Sequence, residues 1–213
     1  LFGEYGIIQD SKGLSIPYNF YNGALKTDKN SSEEAKKSNE NLKRFVTYLK
    51  TLQTAQPDLI TFDLLSLENN VDSGMYFDSS IPQGYGVGSS GALVAAIYDK
   101  YAQNKITVLE NLTREKLLTL KSIFSQMESF FHGKSSGLDP LNSYLSIPIL
   151  INSKDNIEAT GIPTQSVNGK GAVFLLDSGI VGETAPMVNI FMENLKDKGF
   201  RTMLKSQFIK HTD

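Results

Sequence analysis

Pro82-Gln83-Gly84-Tyr85-Gly86-Val87-Gly88-Ser89-Ser90-Gly91-Ala92 (PQGYGVGSSGA) lies between a strand-like apolar stretch and a segment of helical periodicity. Glycine at every second position opens backbone angles that side chains forbid, so successive N–H groups can turn inward around an anion. A helix starting at Ser89 adds the positive end of its dipole, and Ser90 offers a hydroxyl suited to Mg2+. The stretch reads as a phosphate cradle, with a plain flexible glycine turn as the competing reading. It lacks the lysine of GxxxxGK[ST], which rejects a Walker A loop. It also lacks GxGxxG spacing and a β-α-β setting with a later acid, which disfavours a dinucleotide fold.

Working outward, Ser89 to Gln103 forms a helix with Leu93, Ala96, Ile97 and Tyr101 on one stripe. On the N-terminal side, Leu59 to Leu67 (LITFDLLSL) is apolar enough for a strand. Met75 to Asp78 is expected to pair with it through the turn chemistry of NNVDSG, and Pro82 ends the pair. Further back, the polar stretch Thr27 to Asn41 carries a capping-box pattern at Ser31 and Glu34. Leu42, Phe45, Val46 and Leu49 then recur at helical spacing. Leu1 to Lys26, apolar and broken by glycines, reads as an antiparallel β opening. On the C-terminal side, Thr113 caps a helix to Phe131 whose apolar face is Leu117, Leu120, Ile123, Phe124, Met127 and Phe131. Tyr144 to Ile151 and Ala172 to Leu176 read as buried strands, and Ala185 to Leu195 as a helix. A composition shift at Asn168 to Gly171 marks the best internal boundary, dividing the chain into 1–168 and 169–213.

The second informative segment closes the Thr113 helix: Glu128-Ser129-Phe130-Phe131-His132-Gly133-Lys134-Ser135-Ser136-Gly137-Leu138-Asp139. Glu128 and His132 are four apart and share a helix face, and the turn can return Asp139 towards them. Two acids and a hydroxyl suit phosphoryl transfer, one acid holding a metal and the other accepting a proton. The competing reading is helix-end chemistry, with His132 and Lys134 countering the dipole and Asp139 capping the next turn.

Composition narrows the function classes. Lys+Arg 21 against Asp+Glu 23 leaves a net charge of -2, with no basic excess for a phosphate backbone, so nucleic acid is not an expected partner. Cysteine is absent and histidines number two, which excludes disulfides, thiolate metal sites, a cysteine nucleophile and a His-based zinc site. No apolar run approaches the roughly 20 residues that span a bilayer, so no membrane association is expected, and the cytoplasm is the expected compartment.

Together the two segments resemble the GHMP kinase superfamily, and its mevalonate kinase type most closely. PQGYGVGSS matches the family's PxGxGxGSS nucleotide loop, ESFFHGKSSGLD reproduces ExxxHGxxSGxD, and LFGEYGII at the start is similar to the first motif, of the type GKxxLxGEHAVV. The resemblance implies an α+β fold: a GHMP kinase N-terminal domain of the ribosomal protein S5 domain 2-like kind over 1–168. The beginning of a ferredoxin-like C-terminal domain would follow over 169–213. It implies ATP and Mg2+, with Gly84, Gly86, Gly88, Ser89 and Ser90 along the phosphates, Ser90 and Glu128 holding Mg2+, and Asp139 as catalytic base. Glu4, His132 and Ser136 fall near the acceptor, a small-molecule hydroxyl substrate, and a homodimer is compatible.

The chain departs from the family pattern at Tyr5, where His is usual, at Gly91, where Ala is usual, and at Ser135, where Pro is usual. The family lysine would precede Leu1 and the third Gly-rich motif would follow Asp213, so the expectation is a piece of a longer kinase. Mevalonate is the favoured acceptor, with phosphomevalonate and sugars as alternatives. A non-catalytic nucleotide-binding module is the reading from a different class.

Overall fold

The computed structural model describes residues 1–28, 32–108, 111–161, 176, 179, 182 and 184–212. In chain order the elements are α1 (Glu4–Ile7), β1 (Gly13–Ser15), β2 (Gly23–Thr27), α2 (Glu33–Ala55), α3 (Leu64–Asp72) and β3 (Met75–Ser79). They continue with α4 (Ser89–Tyr101), α5 (Arg114–His132), α6 (Leu138–Leu145), β4 (Ile149–Ser153), β5 (Asn156–Ala159), α7 (Thr184–Asn194) and α8 (Lys198–Leu204). The last runs on through a π-helical turn, Lys205–Ile209. Helices pack against two small antiparallel sheets, a mixed content that fits an α+β fold. One sheet has the order β1-β4-β5, with Leu14 opposite Leu150, and the other pairs β2 with β3, Gly23 facing Ser79.

Helices α4, α5 and α7 form where the periodicity predicts them, and the Thr113 hydroxyl caps α5 by accepting the Lys116 N–H. The α4 stripe is rotated, however, for Val94, Ile97, Tyr98 and Tyr101 are buried while Leu93 and Ala96 are half-buried. Four further expectations change. The Leu59–Leu67 strand is not formed: the Asp63 carboxylate accepts the Ser66 N–H at 3.0 Å, starting α3 with Leu67 and Val71 on its inner face. Only Phe62 keeps a β-bridge, to Ala102. Met75–Ser79 therefore takes its partner from β2.

The opening keeps one local antiparallel contact, the bridge of Phe2 to Leu14. Glu4–Ile7 is a helical turn, and the strands β1 and β2 pair with β4 and β3, not with each other. The cap of α2 is Ser32, whose hydroxyl accepts the Ala35 N–H at 3.2 Å; Ser31 lies outside the described residues. Tyr144 and Leu145 end α6, and strand structure starts at Ile149, because Leu138, Leu141 and Leu145 line a buried helical face. The expected strand Ala172–Leu176 and the Asn168–Gly171 boundary fall outside the described residues, except for Leu176, which is exposed.

The core holds the site elements at fixed angles. Phe45, Leu49 and Leu42 of α2, Ile97 and Tyr98 of α4, and Leu120, Phe124 and Met127 of α5 are fully buried in one cluster. Tyr98 meets Phe124 edge-on at 4.9 Å and Tyr144 at 5.0 Å, which ties α4, α5 and α6 together. Phe45 packs on both Phe130 and Phe131, fixing the last turn of α5 just before His132.

Two glycines permit a close approach. A Cβ on Gly91 would lie 2.8 Å from the Asp139 carbonyl carbon and the Pro140 nitrogen, so the first turns of α4 and α6 touch backbone to backbone. Gly137, at φ 74°, presses on α5, where a Cβ would lie 2.2 Å from the Lys121 carbonyl oxygen. Gly133, at φ 70°, has open space around it. Gly133→Ala is therefore expected to cost only the left-handed strain, about 1 kcal/mol, and Gly137→Ala about 3 kcal/mol or more, because overpacking adds to strain. Chemical denaturation of both variants checks this, and equal losses would refute the close-approach account.

Candidate active site

The glycine-rich loop runs from the end of β3 into α4, and Gly84, Gly86 and Gly88 all adopt left-handed angles, φ 79°, 67° and 77°. Gly88 is the residue before α4, and no side chain caps that helix. The half-buried Ser89 opens the helix, so the amides of its first turn and its positive dipole end face an uncapped terminus. An anion is the natural complement of such a loop and helix start.

Ser90, one residue into α4, meets the end of α5. Its Oγ donates to Glu128 Oε1 at 3.1 Å across 38 residues of sequence, and His132 Nε2 lies 2.9 Å from the same oxygen. The hydroxyl has one proton, so when it donates to the carboxylate the imidazole N–H is the donor to Ser90. Glu128 is 4% exposed, which is unusual for a carboxylate. Burial pushes its pKa up to about 7, and the Asp139 charge adds to this, against the hydrogen bonds from Ser135 and Ser90, which favour the charged form. Among the described residues no buried side-chain polar atom lacks a partner.

Asp139 stands in the first turn of α6, with a Cβ built on Gly88 only 3.8 Å from its own Cβ. One side of Asp139 remains open to solvent, while protein around the others raises its pKa. His132 opposes that rise. Glu4, on α1, also keeps solvent contact. Its pKa is raised, first by partial loss of water and then by the Asp139 charge. The fold thus gathers Ser90, Glu128, His132, Asp139 and Glu4 from α1, α4, α5 and α6 around the end of the glycine-rich loop. Ser136 is used differently, being exposed with its hydroxyl accepting the Leu138 N–H at 3.3 Å.

No three His, Asp or Glu side chains among the described residues are placed to hold one metal ion. Ser90 and Glu128 nevertheless make an all-oxygen pair of the kind Mg2+ accepts when phosphate and water fill its other positions. Sequence reasoning missed Ser135, which donates to Glu128 Oε2 and accepts the Gly137 N–H at 3.0 Å. The signal in the sequence is a serine where the family pattern has proline, which does not name its partner.

The Glu128 carboxyl holds its proton more tightly in the folded protein than in the unfolded chain. Its contribution to stability is therefore present at low pH and is lost as pH rises from about 4.5 to about 7. Between pH 5 and 8 the wild-type protein should lose about 2–3 kcal/mol more than Glu128→Gln. Glu4 and Asp139 shift in the same direction and remain in both proteins, so denaturation curves compared across this range report Glu128 together with its coupling to Asp139. Parallel pH profiles would show that Glu128 titrates normally.

Residues 48–146 match the family model of the GHMP kinases N terminal domain. No curated protein and no solved structure matches the chain. The matched stretch begins inside α2 and ends after α6, so it contains the glycine-rich loop, the Ser90–Glu128 pair, His132 and Asp139. The part of the chain that builds this cluster is therefore similar to the N-terminal domain of GHMP kinases, which supports a place in the GHMP kinase superfamily and suggests an ATP-dependent small-molecule kinase.

Proposed function

We propose that the protein transfers the γ-phosphate of ATP to the hydroxyl of a small molecule, with mevalonate as the acceptor. The observation that carries the reading is the Ser90–Glu128 hydrogen bond. It joins the helix start after three left-handed glycines to a buried acid, with Asp139 beside Gly88. The backbone of Gly84, Gly86, Gly88 and Ser89 binds the phosphates, and Ser90 with Glu128 would hold Mg2+. When bound, that ion neutralises charge on the β- and γ-phosphates. Asp139 accepts the proton of the acceptor hydroxyl as its oxygen attacks the γ-phosphorus, and the bond to the β–γ bridging oxygen breaks to release ADP. A carboxylate with a raised pKa is a stronger base than a free one, which suits this step.

Glu4 and His132 are assigned to the acceptor side, an assignment supported by the motif resemblance and by their electrostatic coupling to Asp139. For Ser136, for mevalonate over phosphomevalonate or a sugar, and for a ferredoxin-like domain beginning after residue 168, the support is the resemblance of the sequence motifs. Among the described residues no helix is long and apolar enough to cross a membrane. The cytoplasm is the proposed compartment, in keeping with the absence of cysteine.

The test is Mg·ATP turnover with mevalonate, phosphomevalonate and a sugar as acceptors, alongside ATP titration with and without Mg2+. Asp139→Asn should leave ATP binding close to wild type and lower kcat by about 10²-fold or more. Turnover within twofold of wild type would remove Asp139 from the role of base. Ser90→Ala and Glu128→Gln should each raise the Mg2+ requirement, and their combined effect should be less than additive because they serve one ion. An unchanged metal dependence with additive stability losses would assign them to packing.

A further inference from the structure

We propose that Ser135 is a positioning residue that holds the Glu128 carboxylate towards Ser90. The inference rests on the reading of Glu128 as an Mg2+ ligand. Glu128 receives a hydrogen bond on each oxygen: Oε1 accepts the Ser90 hydroxyl, and Oε2 accepts the Ser135 hydroxyl. The direction of the second bond is fixed by its surroundings. The Gly137 N–H donates to Ser135 Oγ at 3.0 Å and occupies a lone pair, leaving the single hydroxyl proton for the carboxylate. The Ser135 backbone is held as well, its carbonyl accepting the Ser125 hydroxyl at 2.6 Å from the middle of α5. Gly137 in turn cannot move towards α5, because it already lies against Lys121 and Ser125.

A relay therefore runs from the amide of Gly137 through Ser135 to Glu128 and on to Ser90. Ser135 has one direction available when the carboxylate is ionised, and Ser90 donates to Oε1 when the facing His132 nitrogen carries a proton. Without Ser135, Oε2 of a buried carboxylate loses its donor, and the side chain is free to turn about its last bond, taking Oε1 off Ser90. The motif that the segment resembles carries proline at this position, which has no hydroxyl and so cannot fill the role by the same means. Outer hydrogen bonds of this sort typically change metal affinity by about 10- to 100-fold when removed.

The experiment uses Mn2+ as the probe, with its binding followed by electron paramagnetic resonance in the presence of a non-hydrolysable ATP analogue. Ser135→Ala should weaken Mn2+ binding about 10- to 100-fold. Binding of the analogue without metal should stay near wild type, and the thermal midpoint should fall by no more than the few degrees that one lost hydroxyl on a buried carboxyl costs. Ser135→Thr keeps both the donor and the acceptor, and should restore Mn2+ affinity to within about threefold of wild type. Wild-type and Ser135→Ala proteins of equal Mn2+ affinity would overturn the proposal, as would a folded Ser135→Thr no better than Ser135→Ala. If the wild-type protein binds the analogue with no dependence on Mn2+, it is the reading of Glu128 that fails, and the role of Ser135 fails with it.

Discussion

The backbone contact between the first turns of α4 and α6 is the constraint on which the rest of this structure depends. It exists because Gly91 has no Cβ to meet Asp139 and Pro140, and because Gly137 lets α6 start hard against α5. Pro140 fits there without loss, since a first-turn nitrogen has no partner inside its own helix. The contact sets Asp139 beside Gly88. It also lets Ser90 face Glu128, so the anion-attracting loop and the acids share one small region. The aromatic contacts of Tyr98, Phe124 and Tyr144, and those of Phe45 with Phe130 and Phe131, prevent the three helices from sliding apart.

The electrostatics of the cluster follow from this geometry. Glu128, Asp139 and Glu4 are all pushed towards protonation, mainly by loss of water, and the Asp139 charge adds to the rise at Glu128 and Glu4. Acids held together this way give up stability in exchange for a strong preference for cations. The neighbouring glycine-rich loop, with its left-handed residues and uncapped helix, prefers anions. A ligand carrying both signs, such as a metal-bound polyphosphate, satisfies both preferences at once.

Much of this was legible in the sequence, for a physical reason. The alternating glycines announce positive φ angles that few other residues adopt, and α4 and α5 are long enough for their period to show. LITFDLLSL was not legible, because a short apolar run fits a strand or a buried helix equally, and the decision fell to the Asp63 cap. Helix α6 was hidden behind its glycine start, and the pairing of β1 with β4 and of β2 with β3 depends on partners far along the chain. Among site residues, Glu128, His132 and Asp139 stood out because acids and imidazoles carry chemistry wherever they lie. Ser135 did not, since a hydroxyl takes its meaning from what it faces.

The pairing of β1 with β4 bears on the order in which the protein is built. Glu4 reaches Asp139 through α1, and α1 is held by the Phe2–Leu14 bridge and by β1. Beyond that bridge, the strand has no partner until β4, near residue 150, has been made. Contacts so distant in sequence close late, after the helices have formed from local contacts. The segment bearing Glu4 thus depends on pairing far along the chain, whereas the phosphate side rests on α4, α5 and α6, which are neighbours in sequence.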